Sequence, residues 1–62
     1  MVVLVRDKVT GVQILEKHVM AITLDSGNIE LIYDEEVIAE NMKYPMDRYE
    51  IMKIKGGEKR VD

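Results

Sequence analysis

His18 is the only imidazole in the chain, and the side chains that could work with it are carboxylates. Asp34, Glu35 and Glu36 stand together, with Glu40 a turn later. If the β-type runs on either side of residues 25–28 pair, His18 falls opposite Glu35. A carboxylate beside an imidazole favours the charged ring, which is the chemistry of a general base or a pH switch. A solvent-facing His at a strand end explains the same placement with fewer demands. The acids could also attract a hard divalent cation, which wants several converging oxygens. Consecutive residues on a helix diverge, however, and no D-x-D-x-D-G loop is present. Capping and a solvated helix face account for them. Ser26 lies in the turn Asp25-Ser26-Gly27 with no base beside it in sequence. Nucleotide-binding glycine fingerprints, a phosphate loop, a nucleophile elbow and a metal-binding helix are missing from the sequence. A carboxylate pair for acid–base work needs an apolar pocket, and a core this small leaves little room for one. The expectation is a non-enzymatic chain with no cofactor and no metal.

The cations form a second constellation. Lys53, Lys55, Lys59 and Arg60 make a basic C-terminal stretch with Tyr49 just before it. With Arg6 and Lys8 they could contact phosphates while a tyrosine stacks on a single-stranded base. Lysines on an edge strand also guard against edge-to-edge aggregation, which is the simpler use for them.

These side chains must be positioned by very little protein. Sixty-two residues make one domain, and a domain this short buries a small fraction of its surface. Such domains lean on disulfides, a metal or association. Cysteine is absent and His occurs once, which leaves association. The lack of Cys also fits a reducing compartment. The apolar run Met1–Val5 is too short for a signal-peptide core or a membrane span, so a cytoplasmic protein away from membranes is expected. Phe and Trp are absent, so Val, Ile, Leu and Met must fill the core with Tyr33, Tyr44 and Tyr49. The net charge of −3 is unevenly spread: about +1 over residues 1–24, −6 over 25–50 and +2 over 51–62. An acidic middle disfavours coating of duplex nucleic acid, which rests on clustered Lys and Arg.

The clearest element is a hairpin. Residues 19–24 and 29–33 are β-type runs flanking the turn cluster Asp25-Ser26-Gly27-Asn28. Placing Leu24 opposite Ile29 sets Ile22 against Leu31 and Met20 against Tyr33. Those six share one face, and Ala21, Thr23, Glu30 and Ile32 take the other. Residues 2–6 predict a first strand, residues 7–11 a turn using Gly11, and residues 12–16 a second strand. Thr10 and Gln13 also match a capping box, but the β-branched content favours strand. Asp34 then reads as an N-cap opening a short helix over 34–43, with Ile38 and Met42 on its buried face beside Val37 and Pro45 forbidding continuation. Residues 48–55 predict the last strand, with Tyr49 and Ile51 on one side and Met52 and Ile54 on the other. Residues 1–55 thus form a single β-rich domain and 56–62 a flexible charged tail. The fold class is mainly β with one short helix, in the order β-β-β-β-α-β. A strongly bent antiparallel sheet or SH3-like, partly open barrel suits that order.

Three functions follow as expectations. The first is a small binding module that works as a homo-oligomer, because apolar residues lie on both faces of the strands. Its interface would contain Ala21, Ile32, Met52 and Ile54, covered by a second subunit or another protein. The second is a single-stranded nucleic-acid binder using Arg6, Lys8, Tyr49, Lys53 and Lys55. The third is an acidic protein that docks on a basic partner as an inhibitor, motivated by residues 25–50.

Overall fold

A computed structural model describes residues 1–56 of the chain. Among them are six strands: β1 (Val2–Asp7), β2 (Gln13–Glu16), β3 (Val19–Asp25), β4 (Asn28–Tyr33), β5 (Met42–Pro45) and β6 (Tyr49–Lys55). They form two antiparallel three-stranded sheets, β2-β1-β6 and β3-β4-β5. The class is mainly β, with no helix among the described residues and no closed barrel. The charged tail expected over 56–62 lies outside the described residues from position 57 onward.

The inner faces of the two sheets make the core. Val3 and Val5 of β1 meet Val19, Ile29, Leu31, Tyr33 and Tyr44 of the second sheet. Ile14, Ile22, Tyr49 and Ile51 pack around them, half-buried. β1 alternates between buried and half-buried positions, so its apolar run Val2–Val5 serves two faces at once. The sheets also touch through backbone at one corner, where the Val19 amide donates to the Met1 carbonyl over 3.2 Å.

The hairpin forms as the turn residues require. Ser26 and Gly27 both have positive φ, 53° and 80°, the condition for the tight turn whose twist matches that of the strands. Leu24 pairs with Ile29 and Ile22 with Leu31, as expected. Beyond Ala21 the register slips by one, and Val19 rather than Met20 faces Tyr33. Met20 is the extra residue of a β-bulge and is 65% exposed. A second bulge corrects the last strand. Val3 pairs with Ile54 and Val5 with Ile51, which leaves Met52 as the extra residue. Ile54 therefore lies on the same side of β6 as Ile51 and Tyr49 instead of opposing them, although it stays 51% exposed and outside the core cluster.

The helix expected over 34–43 is absent, and β5 occupies its end. Asp34 does act as a cap: its carboxylate accepts the Glu36 amide at 3.1 Å, and its carbonyl accepts the Val37 and Ile38 amides. One turn forms and stops. A two- to three-turn helix is marginal without packing. Residues 42–45 gain more by pairing with β4, where Met42 meets Leu31 and Tyr44 meets Ile29, burying Tyr44.

Candidate functional site

Two inward polar groups tie the layers together. Glu16 follows Ile14 by two positions on β2, so it shares the inward face with it. Its carboxylate meets the second sheet: the Tyr33 hydroxyl donates to Oε1 at 2.7 Å and the Tyr44 hydroxyl donates to Oε2. Burial first, and the neighbouring carboxylate second, push both phenols well above their ordinary range. Tyr44 also packs on Tyr49 with ring centroids 4.9 Å apart.

At the other end of β1, Asp7 is 5% exposed and fully partnered. The Arg48 guanidinium donates from Nη2 at 2.8 Å and from Nε at 3.1 and 3.2 Å. The Val9 and Thr10 amides donate to Oδ1. Arg48, and then those amides, hold the Asp7 carboxyl well below the usual carboxylate range, against the opposing effect of burial. Asp7 in turn raises the pKa of Arg48. The cluster locks the β1–β2 turn to the β5–β6 turn, where the Lys8 amide also donates to the Arg48 carbonyl at 2.7 Å. A group with a depressed folded pKa contributes stability above its unfolded value and loses it as pH falls. Stability is therefore expected to decline as pH drops below about 3.8, the value for an unfolded aspartate. Acid titration of the circular dichroism signal checks this: Asp7→Asn should lower stability at neutral pH and flatten the acid limb.

The residues expected to do chemistry are scattered. His18 is exposed and occupies the left-handed backbone region at φ 65°, a conformation in which His is enriched among non-glycine residues. Its carbonyl accepts the Asp34 amide at 2.9 Å, so its part here is a backbone corner between β2 and β3. Its backbone partner is Asp34, not Glu35. Among the described residues no group of three acids, His or Cys is arranged to hold a metal ion. No helix among them is long and apolar enough to cross a membrane.

The basic set is divided as well. Lys53 and Lys55 lie on the outer face of the first sheet, paired with Leu4 and Val2. Arg6 is on that face but bound to Glu50 at 3.2 Å. The Lys8 ammonium donates to the Met46 carbonyl at 3.0 Å. Tyr49 is on the inner side, half-buried, under the Arg48 guanidinium. Of the expected interface residues, Ala21 and Ile32 pair across β3 and β4, both half-buried. Met52 and Ile54 are 45% and 51% exposed on β6, in the other sheet.

A surface that was not anticipated lies on the outer face of the first sheet. Val2, Leu4 and Leu15 form an apolar floor bordered on the β6 side by Lys53 and Lys55, around a groove of about 310 Å³. Leu15 pairs directly with Leu4 and is 56% exposed. The signal was present in the sequence: a Val-Val-Leu-Val strand is apolar on both faces, so one face must look outward. A second groove, of about 360 Å³, surrounds the Met20 bulge and is lined by Ile32, Tyr33, Asp34, Glu35 and Glu36. Comparison with protein-family models, curated proteins and solved structures found no match to this chain.

Proposed function

We propose that the protein is a non-catalytic interaction module that works as a homo-oligomer, with the outer face of the β2-β1-β6 sheet as its main docking surface. The observation that carries this reading is the lysine-flanked apolar groove, in which Leu15 stands 56% exposed against Leu4 and Val2. A sheet face of this kind gains free energy when covered, at roughly 25 cal/mol per Å² of apolar area removed from water. Its charged flanks add selectivity for acidic surroundings more than affinity. Support also comes from the size of the domain, since a chain of 62 residues has little core of its own.

Light scattering and sedimentation across a concentration series test the reading. The wild type is expected to associate reversibly, and Leu15→Glu to weaken that association by about 30-fold, the effect of losing one central contact. Because Leu15 points away from the core, the variant should melt like the wild type. A wild type that stays monomeric at about 1 mM, far above the micromolar range of specific contacts, rules the reading out.

A further inference from the structure

The two grooves are opposite in charge. The first, on the outer face of the β2-β1-β6 sheet, is flanked by Lys53 and Lys55 and, among the described residues, lined by no acid. The second, at the Met20 bulge of the β3-β4-β5 sheet, is lined by Asp34, Glu35 and Glu36 and, among the described residues, by no base. Each has an apolar floor: Val2, Leu4 and Leu15 in one, Met20 and Ile32 in the other. They belong to different sheets, so a single copy cannot close one upon the other.

We infer that the occupant of the lysine groove is the acidic groove of a second copy, so that the chain assembles head to tail. This rests on the reading that the outer face of the first sheet mediates self-association, and it adds the partner surface and the symmetry. Two unlike patches make a heterologous contact, which repeats from copy to copy and gives a ring or a filament; a symmetric dimer needs one self-complementary patch. Two lysine-rich grooves facing each other would place like charges together, which costs free energy and discourages that alternative. The bulge gives the acidic groove its form. By turning Met20 outward it supplies an exposed, adaptable side chain beside three carboxylates. The apolar floors provide the attraction, and the lysine–carboxylate rims select orientation.

A complementation experiment tests this. Leu15→Glu spoils only the lysine groove, and Met20→Lys spoils only the acidic one. Both positions are exposed, so both variants are expected to fold, which thermal melting checks. Each variant alone should self-associate about 30-fold more weakly than the wild type. Mixed, the intact lysine groove of Met20→Lys should meet the intact acidic groove of Leu15→Glu, giving a 1:1 complex that grows no further. The charge reversals Lys55→Glu and Glu35→Lys form a second pair: each alone should weaken self-association by a smaller factor, and mixing them should restore it, because the reversed charges are again opposite. If Met20→Lys associates like the wild type while Leu15→Glu does not, the first face pairs with itself; the head-to-tail arrangement is overturned and the docking face stands. If both variants are monomeric and the mixture is too, the arrangement is likewise overturned. A monomeric wild type removes both.

Discussion

Glu16→Ala is expected to be among the most damaging single substitutions in this chain, although Glu16 is only half-buried. Its carboxylate is the shared acceptor of the Tyr33 and Tyr44 hydroxyls, whose residues are 7% and 3% exposed. Truncation leaves two buried donors without a partner, at about 1–3 kcal/mol each, and a total loss of about 2–6 kcal/mol is expected. A domain this size has about 3–9 kcal/mol in all, so the substitution should remove a large part of it. Urea unfolding measures the change. Tyr33→Phe should cost only about 1 kcal/mol, because Glu16 keeps Tyr44 and no buried group is orphaned. Glu16→Gln should fall between the two, since its amide still accepts from one phenol. A value for Glu16→Ala within about 0.5 kcal/mol of wild type, the range for an ordinary surface change, would show that the carboxylate does not join the layers.

The same clasp predicts an alkaline limb. Both phenols titrate higher in the folded protein than their ordinary 10.0. A raised folded pKa contributes stability that is fully present below the unfolded value and is lost as pH climbs through the folded one. Stability should therefore decline above about pH 10, and replacing both tyrosines by Phe should flatten that decline.

The parts of this fold that were legible in the sequence are those set by neighbours along the chain. Asp25-Ser26-Gly27-Asn28 dictates a tight turn, and the turn dictates that Leu24 meets Ile29 and Ile22 meets Leu31. Residues 2–6, 13–16 and 49–55 lie in strands for similarly local reasons. The misplaced faces trace to two single-residue bulges. Strict alternation puts Met20 opposite Tyr33 and Ile54 opposite in sense to Ile51, and one extra residue reverses each assignment. A bulge is decided by the partner strand, and nothing local to Met20 or Met52 announces it. Glu16 was closer to legible, because an acid two positions from Ile14 must face inward and find donors. The Asp7–Arg48 lock spans 41 residues and has no local signature at all. The exposed floor of Val2, Leu4 and Leu15 followed from the apolar run of the first strand, yet which face would stay uncovered depended on how the sheets stack.

Tyr44→Ala and Val37→Ala, measured side by side, decide the segment where local and tertiary preferences conflict. The local pattern favours a helix: Asp34 caps, Glu35 and Glu36 suit a helix start, and Val37, Ile38 and Met42 would share the buried face. In that arrangement Val37 is core, and Tyr44 lies past the end. The structure inverts the weights. Val37 is 55% exposed, whereas Tyr44 is 3% exposed, pairs with Ile29, packs with its ring tilted against Tyr49 and bonds Glu16. Removing a buried ring costs about 3–5 kcal/mol, before any penalty for the acceptor it deserts. Trimming an exposed valine should stay within about 0.5 kcal/mol. Tyr44→Ala should then remove a large part of the stability and move the urea midpoint far down, and Val37→Ala should be silent in the same titration. The reverse order would mean that residues 34–43 pack as a helix and that β5 does not form. The expected order instead follows from the burial at stake: one turn of helix offers Ile38 a partial seat, while a third strand lets β4 pair on both edges and seats an aromatic ring between the sheets. Tertiary pairing outweighs a good cap here because the cap satisfies a few amides, whereas the strand completes the core.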